Sequence, residues 1–175
     1  MAGAPPDPTV ILGVDPSLRG TGFGVIAHHA TATQTLDFGT IKVPAKQRQS
    51  EALAQIHAEL SALIARHRPT VMAVEGVIYA QNFRTAITLG AARGAALLAA
   101  AQAGLEIVEY APKRVKAAAT GRGGAQKQQV AFMVRAQLGL TETPAPDAAD
   151  ALAVAMAHAQ ASHLPAGVTG DAGRL

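Results

Sequence analysis

The sequence predicts an α/β domain on a mixed five-stranded sheet, three antiparallel strands followed by two parallel ones, flanked by helices. Three observations point there. Short apolar runs, TVILGV and VMAV, have the pattern of strands buried on both faces. Longer segments between and after them carry helical spacing. The resulting order, β-β-β-α-β-α-β-α, is that of an α/β layer architecture.

The elements follow in order. Thr9 to Val14 forms the first strand, and the turn Asp15-Pro16-Ser17-Leu18-Arg19-Gly20 leads to a second from about Gly22 to Ala27. Thr33 to Val43, alternating and β-branched, makes the third, and short connections make the trio an antiparallel meander. Ser50 to His67 is a helix with Leu53, Ile56, Leu60, Leu63 and Ile64 on one face, Ser50 as its N-cap, and Pro69 as its stop. Val71 to Val74 is the fourth strand, closed by Glu75. An Ala/Gly-rich helix runs from about Asn82 to Ala103, Leu105 to Tyr110 is the fifth strand, and Pro112 opens a short helix. A loop with Gly121, Gly123 and Gly124 precedes a helix over Gln126 to Leu138, and the last helix covers Asp147 to Ser162. Residues 9–162 are thus expected to form one domain, with 1–8 and 163–175 as tails; 175 residues suit one domain better than two.

Composition narrows the function classes. Cysteine is absent, which excludes a disulfide framework and a thiolate metal site. The opening MAGAPPDPTV has neither the basic start nor the apolar stretch of a secretory signal, and Arg93 interrupts the most apolar helix. A cytoplasmic chain outside the membrane is expected. The net charge is only +3, but no Asp or Glu occurs between Tyr110 and Thr141, where Lys113, Arg114, Lys116, Arg122, Lys127 and Arg135 fall. Such a stretch is either a solvated helical face or the footprint of a polyanion such as DNA.

Two buried strands stop on carboxylates, the first on Asp15 and the fourth on Glu75. If these strands are parallel neighbours, their ends lie about 5 Å apart at the carboxyl edge of the sheet, where open α/β folds keep their sites. Asp147 and Asp150, spaced i, i+3, share one face of the first turn of the last helix. Singly, Asp15 is a turn residue before Pro16 and Asp147 a helix cap. Glu75 and Asp150, in apolar surroundings, are costly without a partner. Jointly the carboxylates would repel unless cations bind, and all-oxygen ligands suit Mg²⁺ or Mn²⁺. Two such ions serve phosphodiester hydrolysis.

Five segments, ILGVDPSLRGTGFGVI, VEGVIYAQN, TLGAARGAALLAA, APKRVKAAATGRGGAQKQQV and DAADALAVAMAHA, together resemble, in the same order, the RuvC family of bacterial Holliday junction resolvases. The likeness runs from about Val10 to His158. It implies a ribonuclease-H-like fold, a homodimer, and Mg²⁺-dependent paired nicks in four-way junction DNA during recombination and repair. It also implies the RuvA–RuvB branch-migration complex as partner. By position it gives Asp15, Glu75, Asp147 and Asp150 the metal-binding catalytic roles, and places Lys116 and Lys127 at DNA near the cleaved strand. Lys113, Arg114 and Arg122 flank the same Gly-rich loop as candidate phosphate contacts. The chain departs from the family at Ser17, where a turn glycine is usual, a change tolerated if φ stays negative. It departs again at Ile78, where relatives often carry an aromatic junction wedge. Either Ile78 is an aliphatic wedge or Tyr79 stacks in its place.

Other readings differ in what they require. A nuclease of the same fold acting on RNA hybrids lacks paired symmetric nicking. An actin-like ATPase, with DPSLRGTGFG as phosphate loop, needs two similar domains. A non-catalytic DNA-binding module does not need all four carboxylates. Gly90 and Gly94 allow close approach along the long helix, either to the protein's own sheet or to a second subunit. The six histidines show no metal spacing and are expected to be surface or structural.

Overall fold

The computed structural model describes residues 7–29, 32–76, 82–162 and 172–175. Its strands are β1 (Thr9–Asp15), β2 (Gly20–His28), β3 (Thr33–Lys42), β4 (Val71–Glu75), β5 (Glu106–Tyr110) and β6 (Ala172–Arg174). Its helices are α1 (Gln49–His67), α2 (Phe83–Gln102), α3 (Pro112–Thr120), α4 (Lys127–Leu138) and α5 (Pro146–Ala161). They form one sheet in the order β3-β2-β1-β4-β5-β6. β1, β2 and β3 pair antiparallel, and β1, β4 and β5 pair parallel, with Val14 opposite Val74.

The central strands are apolar throughout because both faces are covered. On β1 and β4, Ile11, Val71 and Ala73 face one core with Leu152 and Val154 of α5, while Leu12, Val14, Met72 and Val74 face the other with Ile56 and Leu60 of α1 and Ala96 of α2. Period-2 alternation therefore sorts residues between two cores rather than between core and water.

Helix α5 lies unusually close to the sheet. A Cβ placed on Gly13 would sit 2.1 Å from the Ala151 carbonyl oxygen, and one on Gly22 would sit 1.9 Å from that of Asp147. These glycines, against the alanines of α5, let helix backbone rest on strand backbone.

Two expectations need correction. The sheet has six strands, because Ala172–Arg174, expected within a tail, pairs antiparallel with β5. Three residues reading Ala-Gly-Arg carry no alternation to reveal a strand. The edge is held instead by backbone bonds, Leu175 N–H to the Ile107 carbonyl among them, and by an Arg174–Glu106 ion pair at 2.8 Å. The N-cap of α1 is Arg48 rather than Ser50, and Glu51 reaches back to accept the Arg48 N–H at 3.2 Å. Among the described residues, no helix is long and apolar enough to cross a membrane.

Candidate active site at the carboxyl edge of the sheet

The parallel pairing of β1 with β4 sets Asp15 and Glu75 side by side just past the Val14–Val74 pair. The turn after Asp15 is stitched by Thr21, the one fully buried polar residue among those described. Its hydroxyl donates to the Ser17 carbonyl at 2.6 Å and accepts the Ser17 N–H at 3.2 Å. Ser17 keeps φ negative, since Arg68 is the only described non-glycine residue with positive φ.

The close approach of α5 at Gly13 and Gly22 carries its first turn to the same edge. Pro146 opens the helix, and Asp147 and Asp150 lie half-buried on it. At Gly20 an added Cβ would come within 2.9 Å of Asp147 Oδ2, so the β2 backbone flanks that carboxylate.

Electrostatics register the convergence. Burial raises the Asp15 carboxyl from 3.8 to about 7, with Asp150, Glu75 and Asp147 pushing the same way and Lys127 opposing. Burial likewise raises Glu75, Asp150 adds to the effect, and Lys127 and Lys116 oppose it. Each shift reflects negative charge drawn together in a poorly hydrated place. Lys127, at the first position of α4, bonds Asp150 Oδ2 at 2.7 Å and is itself raised, chiefly by that bond.

Among the described residues, no three His, Asp or Glu side chains are grouped so as to hold a metal ion. Lys127 instead supplies positive charge at Asp150. The donors gathered here are nonetheless all carboxylate oxygens under mutual repulsion, a set that fits a hard divalent cation.

The basic residues divide. Lys127 and Lys116 act directly on the carboxylates. Arg114 acts on the Tyr110 phenol, lowering a pKa that burial raises. Lys113 and Arg122 are exposed, and the Lys113 carbonyl lies 3.1 Å from where a Gly123 Cβ would stand. Arg122 lines a surface cavity of about 500 Å³ with Thr120, Gln128 and Phe132. Ile78 and Tyr79 lie outside the described residues.

Two arginines of α2, Arg84 and Arg93, also bear on this edge of the sheet. Arg84 lines a cavity of about 460 Å³ with Ser17, Leu18 and Arg19, beside the Asp15 turn. Arg93 donates to the Glu75 carbonyl at 2.8 Å and pairs with Glu109. The available signal is a lone charge in the run GAARGAALLAAAQ, out of place unless something polar faces it. His158, expected to be structural, accepts or donates at 2.8 Å with the Tyr110 hydroxyl behind the site.

The sheet order and the helix laid across it define an α/β nuclease fold of the ribonuclease-H-like class. The family model of the crossover junction endodeoxyribonuclease RuvC matches residues 11–158. The RuvC protein of Akkermansia muciniphila is 51% identical over 148 residues, spanning 85% of this chain and 89% of that one. That of Halorhodospira halophila is 48% identical over 164 residues, spanning 93% and 98%. The solved structure of Thermus thermophilus RuvC in complex with Holliday junction substrate superposes with a TM-score of 0.85 at 37% identity, covering 95% of this chain and 99% of that one. The chain belongs to the RuvC family of crossover junction endodeoxyribonucleases, and is a nuclease.

Proposed function

We propose that this chain resolves four-way DNA junctions by paired, symmetric nicks, in recombination and repair, with Asp15, Glu75, Asp147 and Asp150 as ligands of two divalent cations, Mg²⁺ or Mn²⁺. The observation that carries the reading is the meeting of carboxylates at one sheet edge: Asp15 and Glu75 end adjacent parallel strands, and the first turn of α5 brings Asp147 and Asp150 against them, with burial and these neighbours raising the Asp15 carboxyl. A cluster held this way is stabilised by bound positive charge. When bound, a pair of such cations supplies an activated water and stabilises the leaving oxygen of the phosphodiester.

The protein's own side chains have separate tasks. Asp15 and Glu75, on strand ends, fix the rigid half of the site, and Asp147 and Asp150 close it from α5. Lys127 holds Asp150 in place and presents its ammonium, still largely exposed, toward an arriving phosphate. Lys116 offsets charge at Glu75, while Lys113, Arg114 and Arg122 extend the positive surface along the strand.

The similarity to a RuvC bound to a Holliday junction supports the same substrate here. Two matched cuts call for two matched sites, which a C2 homodimer provides. An exposed apolar stripe on α2, with Phe83, Ile87 and Leu98, supports that assembly. The family resemblance extends the reading to RuvA–RuvB as partner, to a cytoplasmic location, and to Ile78 or Tyr79 as the wedge.

The decisive experiment incubates the protein with a labelled synthetic four-way junction, with and without Mg²⁺ or Mn²⁺, beside Asp15→Asn. Symmetric nicks that need metal, lost in the variant while junction binding survives, are expected. Binding without cutting would point to a non-catalytic module, and equal cutting of linear duplex or RNA hybrid to another branch of the fold.

A further inference from the structure

Arg93 is the sole charge in the second half of α2, and its side chain is only 13% exposed. Both ends of its guanidinium fork are committed. Nη1 donates to the Glu75 carbonyl oxygen at 2.8 Å, and Nη2 pairs with the Glu109 carboxylate on β5. The next residue, Gly76, donates its N–H to the Tyr110 carbonyl at 2.8 Å. A Cβ on Gly76 would lie 3.1 Å from Glu109 Oε1, so this backbone passes tightly beneath the ion pair. The end of β4 is therefore gripped twice, by the β5 backbone and by α2.

A half-buried ion pair adds little net stability over apolar side chains of similar volume. Its consequence here is directional. A planar guanidinium bonded at two points fixes where the Glu75 carbonyl points, and with it the direction of the Glu75 side chain. Lysine, with one ammonium, cannot span both partners in the same fixed plane.

We propose that Arg93 is a positioning residue of the cleavage site: by bridging the Glu75 carbonyl and Glu109 it locks the end of β4 and aims the Glu75 carboxylate at the cations. The proposal rests on Glu75 being a cation ligand, as above. Arg93 works through the β4 backbone, in the way that residues behind a metal ligand orient it.

The test follows single-turnover cleavage of a four-way junction over a Mg²⁺ series for wild type, Arg93→Leu, Arg93→Lys and Glu109→Gln. The Mn²⁺-induced rise in melting temperature and metal-free junction binding are measured alongside. Arg93→Leu is expected to need about 10- to 100-fold more Mg²⁺ for half its maximal rate. It should lose most of the Mn²⁺-induced stabilisation, yet bind the metal-free junction as wild type does. Arg93→Lys should recover only part of the loss. Glu109→Gln, which frees one end of the fork, should give an intermediate Mg²⁺ requirement and serves as the probe if Arg93→Leu folds poorly. A wild-type Mg²⁺ dependence in folded Arg93→Leu, or in Glu109→Gln where Arg93→Leu does not fold, overturns the proposal. Glu75→Gln keeps the two readings apart: normal cleavage by that variant sinks the ligand role of Glu75 and the proposal with it. An inactive Glu75→Gln beside a normal Arg93→Leu removes only the positioning role.

Discussion

Asp15 carries the largest electrostatic burden in the site, because burial and three neighbouring carboxylates all disfavour its charged form. Asp15→Asn keeps the shape of the side chain and removes that conflict. In metal-free buffer at neutral pH the variant should melt higher than wild type, by about 2–4 °C for each kcal/mol of repulsion relieved. On the proposed ligand set, excess Mn²⁺ should reverse the order, since only the wild type offers the cations all four carboxylates; differential scanning calorimetry with and without the cation reads both. Lys127 presents the opposite case. Its side chain is 74% exposed, so its bond to Asp150 contributes little to stability. Lys127→Met should leave the melting temperature nearly unchanged while slowing cleavage and weakening junction binding. If its ammonium meets a phosphate, the slope of log affinity against log salt should fall by about one, which a binding titration from low to moderate salt would measure.

At the scale of elements, the site depends on how closely α5 lies on β1 and β2. Gly13→Ala would set a methyl carbon into the Ala151 carbonyl, contact that only a shift of the whole helix relieves. The expected cost is about 1–3 kcal/mol, the range for overpacking a filled core, read as a lower midpoint in urea. Cleavage should fall with it, because Asp147 and Asp150 ride on the displaced helix. Farther along α5, His158 meets Tyr110 of β5 and also senses Glu106 of β5 and His28 of β2. Burial holds its ring below the ordinary value of 6.5, so the fold favours the neutral form. The stability it contributes is present above pH 6.5 and is lost as pH falls from 6.5 through the lowered folded value. Melting temperature should drop across that window in the wild type, and His158→Gln should flatten this part of the profile. These elements also mark what the sequence makes legible. Apolar runs that stop on Asp15 and Glu75 form a local pattern, and parallel pairing follows from the element order. The docking of α5 is not local: Gly13 and Gly22 read as ordinary strand and turn glycines until a helix is known to lie on them. Arg93 escapes for the same reason, since its meaning depends on which strand end α2 crosses, and β6 escapes because backbone bonds alone define it.

Under the proposed function the whole molecule severs two equivalent strands of one junction, and its surface offers a means of doubling. Phe83 is 90% exposed, Ile87 70% and Leu98 52%, and they recur at helical spacing along α2. Gly90 and Gly94 fall on the same stripe, and a Cβ added to either would meet nothing within 4 Å. Of the two surfaces those glycines could serve, the protein's own sheet is therefore not the one. An apolar helical stripe bared to water is what a second copy would cover, and small residues in its middle would let two α2 helices approach closely. Ile87→Glu places a charge at the centre of the stripe, on a side chain that touches little of its own fold. The variant should fold with an unchanged melting transition at low concentration but sediment as a monomer where the wild type sediments as a dimer. On a supercoiled plasmid carrying an extruded cruciform, a dimer makes both cuts within the lifetime of one complex and yields linear product. A monomer cuts once; supercoiling is then released, the cruciform is reabsorbed, and nicked circles accumulate. Nicked circles from monomeric Ile87→Glu would tie paired cutting to this face of α2. Linear product from a protein that is monomeric at the assay concentration would mean that the junction itself gathers two copies through some other surface.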